Sequence, residues 1–123
     1  MELDQFIQGY IACMLWTEEE PLLEDADLPA AADDLAPETV ALIRQECQEF
    51  VEANRRLITE AVRREPSYTW ARAGHDFWLT RNHHGAGYWD RGLEEVGELL
   101  TNAAQARGEK DLYRGDDTLL YLA

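Results

Sequence analysis

The residue types that could do chemistry are concentrated in one stretch of this chain, residues 74–92, with the sequence GHDFWLTRNHHGAGYWDRG. The stretch contains all three histidines of the chain, four large aromatic residues, two arginines and two aspartates. Imidazole and carboxylate groups are ligands for zinc, manganese or iron, and a guanidinium group binds phosphate. The polar residues that form a candidate site are therefore His75, Asp76, Arg81, His84 and Asp90.

The spacing of these residues disfavours a metal site. His75 and Asp76 are adjacent, as are His83 and His84. Adjacent side chains on a helix point about 100° apart, so they do not easily face one ion. The chain has no H-x-x-x-H motif, no H-E-x-x-H motif and no set of cysteine ligands. We predict ordinary hydrogen-bonded histidines, with no metal ion and no cofactor.

A nucleotide site would combine Arg81 and Asn82 with the glycine-rich residues 85–87, and Trp78 or Trp89 would stack on the base. Two glycines separated by one alanine fall far short of a phosphate-binding loop, and no predicted strand precedes them. The glycines are more typical of a tight reversal between two helices.

Nucleophilic catalysis has little support in the pattern. Cys13 and Cys47 lie in apolar helical stripes, which favours buried, reduced thiols. Ser67 is the only serine, and its position eight residues before His75 is its one feature of interest. No residue is predicted to be catalytic.

Packing explains the same stretch without a ligand. Six of the twelve aromatic residues fall between residues 68 and 89. Buried tryptophan N–H and tyrosine O–H groups need hydrogen-bond partners, which the nearby polar side chains can supply. We favour a polar network that locks a tight turn over a catalytic site.

The charge of the chain is strongly acidic and unevenly distributed. Eleven Lys and Arg residues against twenty-five Asp and Glu residues give a formal net charge of -14. Residues 1–43 contain eleven acids and no base, whereas residues 44–123 contain fourteen acids and eleven bases. Such a surface repels nucleic acids and anionic membranes and attracts basic surfaces. We predict a basic protein partner, no direct binding of nucleic acid and no membrane partner.

The acids that would bind this partner lie in a predicted loop at about residues 17–36, which has two prolines and no clear period. Loops of this length are usually functional or mobile, and a solvated, weakly ordered loop is the alternative interpretation. The predicted partner-binding residues are Glu18, Glu19, Glu20, Glu24, Asp25, Asp27, Asp33 and Asp34.

Apolar periodicity and capping residues predict a single domain, 1–123, of mainly α (α+β) class, with about four helices and a C-terminal β-hairpin packed on them. The second helix starts at Pro37 and is long enough that it either bends near Asn54 or projects from the domain. Thr69 caps the third helix, and Asp90 caps the fourth. The predicted ranges are about 3–16, 37–65, 70–82 and 91–108 for the helices, and 112–114 and 119–122 for the strands.

Sequence features also bear on location and assembly. No apolar run approaches the ~18 residues of a membrane span, and the acidic N-terminus lacks the basic region of a signal peptide. We expect a soluble, cytoplasmic protein. A homo-oligomer joined through the hairpin edge or the second helix is left open.

The central motif HDFWLTRNHHGAGYWDRG, with the LYRGDD…LLY ending, resembles a family of small acidic proteins encoded by tailed bacteriophages. Looser similarity extends to Gly9-Tyr10, Leu15-Trp16 and residues 34–37. The chain has His83 where the family pattern has glycine and Tyr88 where it has phenylalanine. The family has no settled activity, so the resemblance implies a phage or prophage origin and the cytoplasm of an infected or lysogenic bacterium.

Small acidic phage proteins include inhibitors of host-defence nucleases, some of which present carboxylates as DNA presents phosphates. The leading hypothesis is a non-enzymatic phage interaction protein whose acidic surface binds and blocks a basic host or phage protein, such as a host-defence nuclease. The alternative is a small metal- or nucleotide-dependent enzyme that uses the polar residues at 75–90.

Overall fold

The residues described by the computed structural model form four α-helices followed by one β-hairpin, which confirms the predicted mainly α class. The model describes residues 1–18 and 32–123 in full and the backbone of residues 19–26. Within this part of the chain, no helix has the length and apolar character needed to cross a membrane. The elements are α1 (Glu2–Ala26), α2 (Pro37–Arg64), α3 (Trp70–Arg81), α4 (Glu95–Gln105), β1 (Leu112–Arg114) and β2 (Leu120–Leu122).

Helix α1 extends ten residues beyond its predicted end at residue 16. The prediction of an acidic loop at 17–36 is therefore wrong over its first half. The prediction ended the helix at Trp16 because the apolar stripe stops there and the next stretch has no clear period and two prolines, of which Pro21 removes an interior backbone hydrogen bond. Residues 17–26 are mostly Glu, Leu and Ala, however, which are good helix formers. Extending an existing helix needs no new nucleus, and the helix continues to Ala26.

Helix α2 agrees with the prediction at its start, its end and its bend. Pro37 is its first residue, and the helix ends at Arg64. Asn54 has non-helical angles (φ -126°, ψ 18°), and its side-chain amide donates to the Phe50 carbonyl at 2.9 Å. A side chain that competes for a helical carbonyl is a recognised cause of a kink.

Helix α3 begins as predicted, but the start predicted for α4 is wrong. Thr69 caps α3, and its Oγ1 accepts from the backbone N–H of Arg72 at 3.1 Å. Asp90 belongs instead to a short 3-10 turn, where it accepts from the Gly87 N–H at 3.0 Å. Gly92 (φ 73°) and Glu94 (φ 56°) are left-handed, so α4 begins only at Glu95.

Helices α1 and α3 pack against each other at unusually short range. A Cβ added at Gly9 would lie 2.6 Å from the carbonyl carbon of Ala71, and one at Gly74 would lie 2.7 Å from that of Phe6. Each glycine therefore admits the backbone of the other helix. The aromatic core forms beside this crossing, and the rings of Phe50 and Phe77 stack at 4.1 Å.

The hairpin lies on the helices, as its marginal stability alone requires. Leu112 and Leu120 are buried in the core. The Leu120 carbonyl, on the outer edge of β2, accepts from the Ala36 N–H at 3.1 Å and from Thr39 Oγ1 at 2.7 Å. The chain leading into α2 thus covers this position of the strand edge.

Candidate functional site

Asp76 is the centre of a buried hydrogen-bond network between α3 and the segment that follows it. Its carboxylate accepts from Tyr68 Oη at 2.8 Å and from Arg91 Nη2 at 2.8 Å and Nε at 3.1 Å. Burial alone would raise the pKa of Asp76, but His75, Arg91 and Tyr68 stabilise the charge and hold the pKa below its usual range. The carboxylate is completely buried, so its hydrogen bonds stabilise the fold and it is not exposed to a ligand.

Arg81 is the centre of a second buried network. Its guanidinium donates to Glu46 and to Tyr10 Oη, both at 3.2 Å, and to the carbonyls of Arg107 at 3.2 Å and Gly108 at 2.9 Å. The side chain is completely buried. These bonds join α1, α2, α3 and the chain after α4, so Arg81 is occupied by the fold rather than presented to a ligand.

The aromatic residues of the segment are paired in the same way. Tyr88 Oη donates to the Ala73 carbonyl at 2.6 Å, and the Tyr88 N–H donates to Thr80 Oγ1 at 3.2 Å. Trp78 Nε1 donates to Thr17 Oγ1 at 2.7 Å. The two Tyr88 bonds tie the turn after α3 to α3 itself, and the Trp78 bond joins α3 to α1.

The three histidines do not assemble into one site, because His75 and His84 line one groove, described below, whereas His83 does not. His75 Nδ1 lies 3.9 Å from Asp76 Oδ1, too far for a hydrogen bond, and its side chain is 37% exposed. His83 lies on the other side of the turn, 3.8 Å from Glu109. Among the described residues, no group of three or more His, Cys, Asp or Glu side chains could hold a metal ion.

The backbone at His83 has a geometry that glycine adopts more readily than histidine. Its φ of 56° is in the left-handed region, where glycine is favoured. The histidine that stands there contacts Gln105, with Nδ1 at 3.5 Å from Nε2. A role that requires a bare backbone at this position is not available to this chain.

A groove of about 1330 Å³ runs between α1, α3 and the turn after α3. It brings together two members of the candidate set, His75 and His84, whereas Asp76, Arg81 and Asp90 do not line it. Its other polar and aromatic lining side chains include Trp16, Ser67, Arg72 and Arg91, which the candidate set omitted. Ten of the fourteen lining residues come from the segment 67–91, and the packing of α1 adds the other four, Trp16 among them, which no local sequence signal could have indicated.

The nucleophile candidates remain without a base. Ser67 lines the groove with His75, but its hydroxyl donates to Glu65 at 3.3 Å. Burial raises the pKa of the Cys13 thiol to about 12, which keeps it protonated and unreactive at neutral pH.

The predicted partner-binding acids fall into four groups. Glu18 is partly buried, which raises its pKa, while nearby His84 opposes that shift. Asp33 is exposed, and Asp34 Oδ2 lies 3.8 Å from Arg114 Nη1. Asp27 lies outside the described residues, and the other four acids, Glu19, Glu20, Glu24 and Asp25, lie on the helical backbone of α1.

Comparisons with protein-family models, with curated proteins and with solved structures found no match for this chain. The resemblance to the phage family therefore stays a prediction.

Proposed function

We propose that the protein is a non-enzymatic interaction protein whose acidic N-terminal third binds a basic surface of a partner protein. The observation that carries the proposal is the division of charge: eleven acids and no base in residues 1–43, against a nearly balanced remainder. A surface with one sign of charge accelerates and orients encounters with a surface of the opposite sign.

Two acids at the start of this acidic third are paired with arginines. Glu2 pairs with Arg55 at 2.9 Å, and Asp4 lies 3.4 Å from Arg44. Both arginines belong to α2, so the start of α1 is held against α2 by opposite charges. The eight acids proposed to bind the partner come later, between residues 18 and 34.

Five of these eight acids lie on the last ten residues of α1. The last turn contains Glu24 and Asp25 and no basic residue. Acidic side chains near the negative end of a helix dipole are unfavourable, by about 0.3–1 kcal/mol each. A basic partner would offset this repulsion.

The absence of an assembled catalytic group among the described residues also favours a binding function. Asp76 and Arg81, the strongest chemical candidates of the central segment, are buried in structural networks. In its finer form, the proposal is that the carboxylates take the place of DNA phosphates on a DNA-binding host or phage protein, such as a host-defence nuclease. The phage origin implied by the central motif supports this choice of partner.

The test is affinity capture from a bacterial lysate with three forms of the protein. The first form is unchanged, and the second has all eight acids of residues 18–34 replaced by their amides. The third, a control with the same change of charge, has eight other acids replaced: Glu49, Glu52, Glu60, Glu94, Glu95, Glu98, Glu109 and Asp116.

The proposal predicts that the unchanged and control forms retain the same basic partner, and that the form altered in residues 18–34 loses it. Duplex DNA should compete with the protein for a DNA-binding partner. Equal retention by all three forms would overturn the assignment of the binding surface.

A further inference from the structure

The groove between α1 and α3 has chemistry unlike the rest of this acidic protein. Among the residues whose side chains the structure describes, its lining includes two guanidinium groups, two imidazole groups and one indole, and no carboxylate. We propose that it is a binding site for a small anion that carries an aromatic ring, the ligand class of nucleoside monophosphates. This inference stands apart from the acidic-surface proposal, because the two use different residues.

The charge of the groove favours a phosphate group. Arg72 is exposed at its edge and makes no ion pair with a described residue. Arg91 is 18% exposed and shares its charge with buried Asp76, which fixes the guanidinium in place. Arginine suits phosphate because its planar fork of donors matches the phosphate oxygens.

Further donors lie near Arg72. The groove includes Ser67 and Thr69 at the start of α3, where the backbone N–H groups and the helix dipole favour negative charge. His75 and His84 complete the polar lining. Acidic groups border this lining: Asp76 Oδ1 lies 3.9 Å from His75 Nδ1, and Glu18 lies near His84, although neither carboxylate lines the groove.

The aromatic part of the ligand is indicated by Trp16. Its side chain is 69% exposed although it follows the buried stripe of α1. An exposed indole beside arginine is a stacking surface for a nucleobase, and such stacking contributes about 1–3 kcal/mol. The groove is larger than the ~300–1,000 Å³ of ordinary ligand pockets, so its size admits a nucleotide.

This site differs from the nucleotide site considered from the sequence. That site used Arg81, which is fully buried, with either Trp78, which is also fully buried, or Trp89, which is 45% exposed but does not line the groove. The groove uses Arg72 and Trp16 instead, from the start of α3 and the middle of α1.

The experiment titrates the protein with the four nucleoside 5′-monophosphates by calorimetry, with adenosine and inorganic phosphate as separate arms. We expect at least one monophosphate to bind in a saturable manner and more tightly than adenosine or phosphate alone. Arg72→Ala should weaken that binding about tenfold or more, the loss that follows from one charge-assisted hydrogen bond. Trp16→Ala should weaken the monophosphate and leave phosphate binding unchanged.

Matched controls separate a site from general effects of charge and aromatic content. Arg56→Ala removes an exposed arginine of α2, and Trp89→Ala removes another exposed tryptophan, and neither residue lines the groove. Both variants should bind as the unchanged protein does. The proposal is overturned if no monophosphate binds, if phosphate alone binds equally well, or if the controls weaken binding as much as the groove variants.

Discussion

The Asp76 network predicts that replacing one carboxylate by an amide destabilises the whole fold. In Asp76→Asn the shape is kept, but the partly buried Arg91 guanidinium loses the negative charge that it contacts at 2.8 and 3.1 Å. Removing one partner of a buried ion pair destabilises a protein by about 3–5 kcal/mol. Domains of this size are stable by about 5–15 kcal/mol, so the variant should fold with a large part of its stability lost.

Urea unfolding at neutral pH, followed by tryptophan fluorescence, measures this loss. With a denaturant dependence of about 2 kcal/mol per M, the midpoint should fall by roughly 2 M. Asp116→Asn is the control, because Asp116 is exposed in the hairpin turn and its replacement should change stability by less than about 0.5 kcal/mol.

A milder variant and a double variant make the reasoning refutable. Tyr68→Phe removes one neutral donor to Asp76 and should destabilise the protein by about 1 kcal/mol. Adding Arg91→Met to Asp76→Asn removes the stranded charge, so the double variant should be more stable than the sum of the single losses predicts. A loss below about 1 kcal/mol in Asp76→Asn would show that the network does not support the fold.

Three further predictions follow from the same structure. Helix propensity alone would make Gly74→Ala stabilising by about 1 kcal/mol, but the added Cβ would overlap the backbone of α1, so we expect the variant to be destabilised by about 1–3 kcal/mol in thermal unfolding. The control Gly85→Ala, which has open space around the added Cβ, should leave the stability unchanged. Because the pKa of Asp76 is lowered in the folded state, this carboxylate should stabilise the fold fully above pH ~4 and progressively less as the pH drops further. The urea midpoint of Asp76→Asn should therefore fall less steeply over that acidic range than the midpoint of the unchanged protein does. Glu24→Gln with Asp25→Asn should raise the stability of the isolated protein by about 0.3–1 kcal/mol each in the same assay.

Elements with strong local signals were predicted from the sequence. Thr69 before an apolar helix, Pro37 at a first turn and Asn54 in an apolar stripe each act through their own backbone neighbourhood. The errors arose where local signals competed. Pro21 did not end α1, and the left-handed residues before Glu95 delayed α4 beyond the available cap at Asp90.

The buried networks around Asp76 and Arg81 were less predictable, because their hydrogen bonds join residues that are well separated in the sequence. Asp76 and Arg91 are fifteen residues apart, and Arg81 and Glu46 are thirty-five apart. No periodicity links such pairs, so the sequence identified the polar residues without their partners. The expectation that the segment is a packed polar network needed only composition, and the observed hydrogen bonds agree with it.

The central claim is that the acids of residues 18–34 bind a basic partner through charge. The most direct measurement is the dissociation constant of the captured partner between about 50 and 500 mM salt, where the screening length falls severalfold. The account predicts a marked, progressive loss of affinity with salt for the unchanged protein, and little dependence for the form with the eight amides. An affinity that is insensitive to salt in the unchanged protein would contradict it.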